Sequence, residues 1–394
     1  MGKRFTYCQG FYGGMLAYVK SREVLCSILL QLGLAVFLAH GYDFRVNYVA
    51  GRNVVLGRSP YVGGVVEGVL AEGYGSHVQG LGETPLWALY TGLAYSLSSS
   101  SLFFFNTLLK IPVIAANIFL SYLVMKRGGD RFFFLYNPYL LLVSSVWGKP
   151  DNIAVLLALT AVGCGWGPLS AAASLMVKPL ALAIAPSFIA LWRRSRDRIL
   201  YWLASSAVMF FTPFLLLGWP LENVVYGVFN WFKPAGGISV FNFVEAVYGV
   251  STLPQWLEPL SYLSAASLAV VLLLAVKHPP ADADGVLRLG LVSASLFLSL
   301  RPWVSEQNLL IIHSLFLLVC GRLPSRLLWV VPLIFAAVNL AIPQQLYLLR
   351  PSIVEELTIL NHPARYWLKF ATSIAWLTVL WNILIRKKLW KWWV

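Results

Sequence analysis

Ionisable residues stand where long apolar runs break off: Asp43, Arg45, Lys149, Asp151, Glu222, Arg301 and Glu306, with Lys178 deeper inside an apolar stretch. Charges at or within a membrane are costly, so each calls for a reason. One carboxylate beside several cations suits transfer of a sugar from a lipid-linked phosphate. The acceptor hydroxyl must lose a proton as it attacks the anomeric carbon, and one carboxylate can take it as general base. The departing phosphate needs no acid, because lysine or arginine neutralises it. Glycosidases require two catalytic carboxylates because their leaving group is a poor alkoxide. Asp43 is the candidate base. Arg45, Lys149, Asp151, Lys178, Glu222, Arg301, Glu306 and Gln307 are the candidates for holding substrate.

Membrane spans are the elements that must position these residues. The 394-residue chain is 59% hydrophobic and 12% charged, with mean hydropathy +0.72, about half the charged fraction of a soluble domain. Apolar runs recur to the C-terminus, which predicts an all-α polytopic membrane protein forming one integral domain over 1–394. The alternating pattern of an outer-membrane barrel is absent. The runs are 24–40, 85–99, 101–125, 132–147, 152–192 (broken at Gly165 and at Lys178-Pro179), 199–217, 260–276, 287–300, 309–320, 327–343 and 366–385, about ten to twelve segments.

The net charge of +14 is distributed by side, which argues against nucleic acid. Nineteen of the 30 basic residues, with five of the 16 acids, fall in one alternate set of connections, among them Lys126, Arg127 and Arg131, Arg193 to Arg198, and the terminal "RKKLWKWW". By the positive-inside rule these connections and both termini are cytosolic. The segments 41–84, 218–258 and 344–365 then lie outside, the first two as large outer loops. The N-terminus shows no small-residue cleavage site and is expected to be retained. Two crossings within 85–125 would put "KRGGDR" outside, against the charge rule, so one of those stretches is expected to be re-entrant or broken at Pro112. Cys8, Cys26, Cys164 and Cys320 show no ligand spacing and read as small apolar residues.

Several short stretches now gain meaning in order. "YDFRVNYVAGRNVVLGRSPY" with "ETPLWALY" places an aspartate before a Gly-x-Ser-Pro-Tyr turn and a Thr-Pro-Leu. "NPYLLLVSSVWGKPDNIAVLLAL" joins an Asn-Pro helix to a polar turn, and "MVKPLALAIAP" breaks a helix at a lysine. "LLGWPLENVVYGVFNWF" opens the second outer segment, and "LSLRPWVSEQNLLIIHSLFLL" carries Ser-x-Gln. In that order, over about 40–320, these resemble the GT-C glycosyltransferases, closest to GPI mannosyltransferase I and archaeal polyprenyl-phosphate-mannose-dependent mannosyltransferases. The resemblance implies a GT-C bundle with a large extracytoplasmic first loop, Asp43 as catalytic base, and inverting transfer of a sugar, most simply mannose. The donor would be a polyprenyl (dolichyl) phosphate sugar, and the acceptor a glycolipid or lipid-linked glycan. The family often carries Asp-x-Asp in this loop; here the first acid is Gly41, so a divalent metal is not favoured and no cofactor is expected.

Plainer roles fit some of the same residues. Asp43 suits the cap of an interfacial helix 44–56. Arg45, Arg52 and Arg58 suit headgroup anchors, and Lys149 with Asp151 a solvated ion-paired turn. Gly57 to Tyr61 suits a rigid turn. His40 and His313 read as interface or packing residues. The 218–258 loop, with Trp219, Trp231, Phe232, Phe241 and Phe243, suits a surface lid. Two other functions remain open: a transporter or flippase, since the stretches around Lys110 and Lys178 look alike, and a protein O-mannosyltransferase.

Overall fold

Backbone groups in hydrocarbon must be satisfied within their own segment, and helices achieve that. The chain is accordingly mostly helical. The structure, a computed structural model, describes residues 11–163, 167–224, 234–340, 342–356 and 362–393. The break expected at Gly165, and Trp231 and Phe232 of the second outer loop, lie outside these residues.

The first half holds α1 (Phe11–Val19), α2 (Arg22–Phe37), α3 (Gly41–Val55), α4 (Pro85–Leu97), α5 (Leu102–Lys126), α6 (Phe132–Tyr136), α7 (Pro138–Leu141) continued by a π-helical turn Leu142–Val146, and α8 (Asp151–Gly163). Then come α9 (Gly167–Val177), a 3-10 stretch Pro179–Ile184, α10 (Ala185–Trp192), α11 (Arg196–Leu217), α12 (Leu221–Val224) and α13 (Phe243–Tyr248). A 3-10 stretch Gln255–Tyr262 leads into α14 (Leu263–Lys277), followed by α15 (Ala283–Ser299), α16 (Leu310–Cys320), α17 (Leu327–Leu340), α18 (Ile353–Glu356) and α19 (Pro363–Arg386). The described strands are two-residue pairs, β1 (Gly64–Val65) antiparallel to β2 (His77–Val78) and β3 (Gly236–Gly237) parallel to β4 (Trp303–Val304).

Four helical runs are long and apolar enough to cross a membrane: α5, α11, Gln255–Lys277 and α19. A fifth forms if Pro138–Val146 and Asp151–Val162, bent by 106° at their break, count as one span. Four further apolar helices of 10–17 residues are shorter than a full crossing. The architecture is that of an all-α membrane protein. α5 is the central column, 61% of its apolar window being buried against 17% for α11, so α11 turns most of its side chains outward.

In the 85–125 region the sequence leaves two alternatives open, and the break at Pro112 is not the one seen. α5 runs unbroken through Pro112, while α4, at 13 residues, is too short to span. Pro112 cannot donate to the Leu108 carbonyl, and the Tyr90 hydroxyl donates to it instead. α3 also starts earlier than predicted, at Gly41, with His40 in the cap position. Asp43 therefore lies in the first turn and is no cap.

Contacts sort the connecting segments into two sets. In one, Ala39 N–H donates to Gln345 O (2.9 Å), Gly73 N–H to a Glu355 carboxylate oxygen (3.2 Å), and the Tyr347 hydroxyl to Val69 and Leu70 carbonyls. β3 pairs with β4, which joins the segment before α13 to the connection after α15. In the other set, Arg127 pairs with Asp284 (2.6 Å), Arg131 with Glu23 (2.8 Å), and Trp392 Nε1 donates to His278 O (3.0 Å). "KRGGDR" thus keeps company with the basic connections, which removes the conflict that its charge raised.

Candidate functional site

The chain leaves α2, makes a three-residue extended link, Leu38 to His40, and enters α3 within one turn of Asp43. Two broken helices face this junction. The sharp bend between Val146 and Asp151 presents Lys149, whose preceding Gly148 has φ +71°, a left-handed conformation that favours glycine. Lys178 is itself extended between α9 and the 3-10 turn begun by Pro179.

Lys149 Nζ sits 2.7 Å from Asp43 Oδ1 and 3.5 Å from Glu83 Oε1, and His40 Nδ1 bonds the other Asp43 oxygen at 2.8 Å. Burial would raise the Asp43 carboxyl, but Lys149 and His40 outweigh it and hold the group well below the usual carboxylate range. Burial would likewise lower Lys149, and Asp43 with Glu83 overcomes that and holds it above the ordinary lysine range. The Asp43 side chain keeps 15% of its surface exposed and Lys149 12%, so both can be reached by a ligand.

Behind this pair lies a drier one. Lys178 Nζ contacts Asp151 Oδ2 at 2.7 Å, and the other Asp151 oxygen accepts from Asn308 Nδ2 at 3.1 Å. Asp151 is fully buried and Lys178 nearly so. Asp151 follows Lys149 by two residues, so the two ion pairs share one turn of chain. The expected solvated Lys149–Asp151 turn is corrected: each residue pairs elsewhere, Asp151 is fully buried and Lys149 keeps only 12% of its side chain exposed.

Other candidates are placed as follows. Arg45 is buried, donates to Gly75 O and lies 5.2 Å over the Tyr74 ring, which ties the first loop to α3. Arg301 follows α15 with its guanidinium 5.8 Å from Phe297 and its carbonyl accepting from Ser239 (2.7 Å); burial lowers its pKa and Asp151 counteracts. Glu306 accepts from Asn339 Nδ2 at 2.9 Å, and its carbonyl accepts from the Tyr139 hydroxyl. Gln307 is buried beside it. Glu222 is exposed on α12 and forms no hydrogen bond or ion pair with another described residue.

Three site residues were missed by sequence reasoning. His40, expected to be a packing residue, bonds Asp43; its i, i+3 spacing at a helix start was a usable signal. Glu83 stood in the quoted "ETPLW" and carried no periodicity to mark it. Thr84 beside it anchors that segment, its hydroxyl donating to Leu175 O at 2.8 Å. Asn308 falls one residue past the noted Ser-x-Gln. His313 does pack as expected, fully buried between Phe133 and Tyr139. The Gly57–Tyr61 turn is built around Gly57 at φ +70°, and Tyr61 stacks on Phe214 with centroids 5.9 Å apart.

Chemically, the arrangement offers one reachable carboxylate, an ammonium that bridges it to a second carboxylate, and an imidazole in support. No protein-family model and no curated protein sequence matches this chain.

Proposed function

We propose that the protein is an inverting glycosyltransferase of GT-C type, with ten to twelve membrane segments, cytosolic termini and an extracytoplasmic site. It moves a sugar, mannose in the simplest case, from a polyprenyl phosphate carrier to a glycolipid or lipid-linked glycan. The observation that carries this reading is the Asp43 carboxylate, partly exposed and gripped by Lys149 at a break in the membrane helices.

A carboxylate held this low is a weak base while Lys149 grips it. A donor phosphate competes for the same ammonium. As Lys149 turns to the phosphate, Asp43 regains basicity and accepts the proton of the acceptor hydroxyl. The new bond forms between that oxygen and the anomeric carbon on the face opposite the phosphate. The anomeric C–O bond breaks, and its electron pair leaves with the polyprenyl phosphate, whose charge Lys149 then balances. Asp151, Lys178 and Asn308 fix the turn that presents Lys149.

Purified protein with radiolabelled polyprenyl-phosphate mannose and a lipid extract should give a labelled glycolipid and free polyprenyl phosphate. Chelation should leave the rate unchanged, since the Lys149 ammonium already stands between Asp43 and Glu83. The two broken helices also suit a transporter; carrier-driven counterflow in vesicles with no new glycosidic bond would establish that reading in its place. Label appearing in protein would indicate a protein O-mannosyltransferase.

A further inference from the structure

Lys110 lies in the first half of α5 and is fully buried, and no carboxylate among the described residues lies within ion-pair reach of it. An ammonium kept in such a place costs several kcal/mol, and a leucine would fill the slot without that cost. Its contacts show what the cost secures. Nζ donates to the Leu38 carbonyl at the end of α2 and approaches Ala35 O at 3.5 Å. The end of α2 already has a donor for these carbonyls in Asn106, one turn earlier on α5, so helix capping alone does not require the lysine. Lys110 has a second contact that Asn106 lacks. Its stem packs against Gly148, where a Cβ would stand 3.0 Å from Lys110 Cγ and 3.1 Å from Cε.

Leu38 is two residues before His40 and five before Asp43, and Gly148 immediately precedes Lys149. One side chain therefore touches the segments that deliver both members of the 2.7 Å Asp43–Lys149 pair.

We infer that Lys110 is a positioning residue, which holds the end of α2 and the 147–150 bend in register so that Asp43 and Lys149 meet. It touches neither substrate nor reacting atoms. Its consequence for turnover rests on the proposed transferase reading; its consequence for the ion pair does not.

The experiment uses full-length protein purified in detergent, and wild type is compared with Lys110→Met and Lys110→Arg. The rate at which a water-soluble acylating reagent modifies Lys149 is read by peptide mass spectrometry. Methionine keeps the stem and removes the donor; arginine keeps a donor for Leu38. Lys149 should be modified several-fold faster in a folded Lys110→Met than in wild type, and at near the wild-type rate in Lys110→Arg. Turnover in the methionine variant should fall by about 10- to 100-fold, as for a misplaced catalytic group, more than donor KM rises, and recover in the arginine variant. A folded methionine variant with Lys149 as protected as in wild type would overturn the inference. If the methionine variant does not fold, the arginine variant decides: wild-type protection supports the inference, and rapid modification in a folded arginine variant overturns it. Should wild type transfer no sugar while the labelling behaves as described, the transferase reading fails and the positioning role stands.

Discussion

Asp43 and Lys149 each hold the other in its charged form, which has a definite signature in pH. Asp43 is depressed, so its contribution to stability is present above the unfolded carboxylate value and is lost as pH falls through the lower folded value. Lys149 is raised, so its contribution is present below the unfolded lysine value and is lost as pH rises through the higher folded value. Between about pH 5 and about pH 9 both contributions are complete, and the difference in unfolding temperature between wild type and Asp43→Asn should be flat there. Kinetics should split the same pair. In the proposed reading, the acid limb of kcat/KM reports free enzyme, where Lys149 grips Asp43, and that of kcat reports the complex, where the donor phosphate would have taken Lys149. The kcat limb should therefore lie at higher pH, and coincident limbs would mean that the donor leaves the pair intact. The buried pair behind behaves differently. Lys178→Met leaves the Asp151 carboxylate unpaired and fully buried, which costs about 3–5 kcal/mol, so this variant should lose stability, seen as a lowered denaturation midpoint, where Asp43→Asn loses rate.

At the scale of elements, what was legible in the sequence was whatever a local pattern encodes. The apolar, helical character of the chain, the lysine break at Pro179 and the Gly148–Pro150 turn are local, and each is seen among the described residues. Partners were not legible. Asp151 meets Asn308 across 157 residues and Lys178 across 27, and packing chooses such partners without leaving a spacing in the sequence. The charge rule already marked one stretch of 85–125 as no ordinary crossing, and the 13 residues of α4 make it that one. Close packing of α3 on α4 is also invisible in one strand of sequence. A Cβ at Gly51 would stand 2.5 Å from Thr91 O, and Asn47 Oδ1 accepts from Trp87 Nε1 at 2.9 Å. Gly51→Val should force the two helices apart at a cost of about 1–3 kcal/mol, measured as a drop in unfolding temperature and accompanied by lost turnover. Wild-type stability in that variant would show that the α3–α4 contact is looser than described here.

For the whole molecule, the two sets of mutually bonded connections predict two faces. Cysteine placed at Val69, which is 47% exposed, should react with an impermeant reagent in intact cells, while one at Trp390, 41% exposed, should be protected. Equal labelling of both would overturn the arrangement. Leu70 next door is a poor probe, being buried at 9% and bonded through its carbonyl to Tyr347. The face that carries residue 69 also carries the Asp43–Lys149 pair, the broken span and the loop segments that meet at Tyr347, so a lipid-borne donor and a lipid-borne acceptor would converge at the membrane boundary. The most direct measurement of that account is single-turnover sugar transfer from a radiolabelled polyprenyl-phosphate sugar by wild type and by Asp43→Asn, with donor binding measured in parallel. Removing the base while keeping the side-chain shape should slow transfer by about 10²–10⁴-fold, with donor binding at least as tight as in wild type because Asp43 no longer competes for Lys149. Transfer by Asp43→Asn at the wild-type rate would contradict the account.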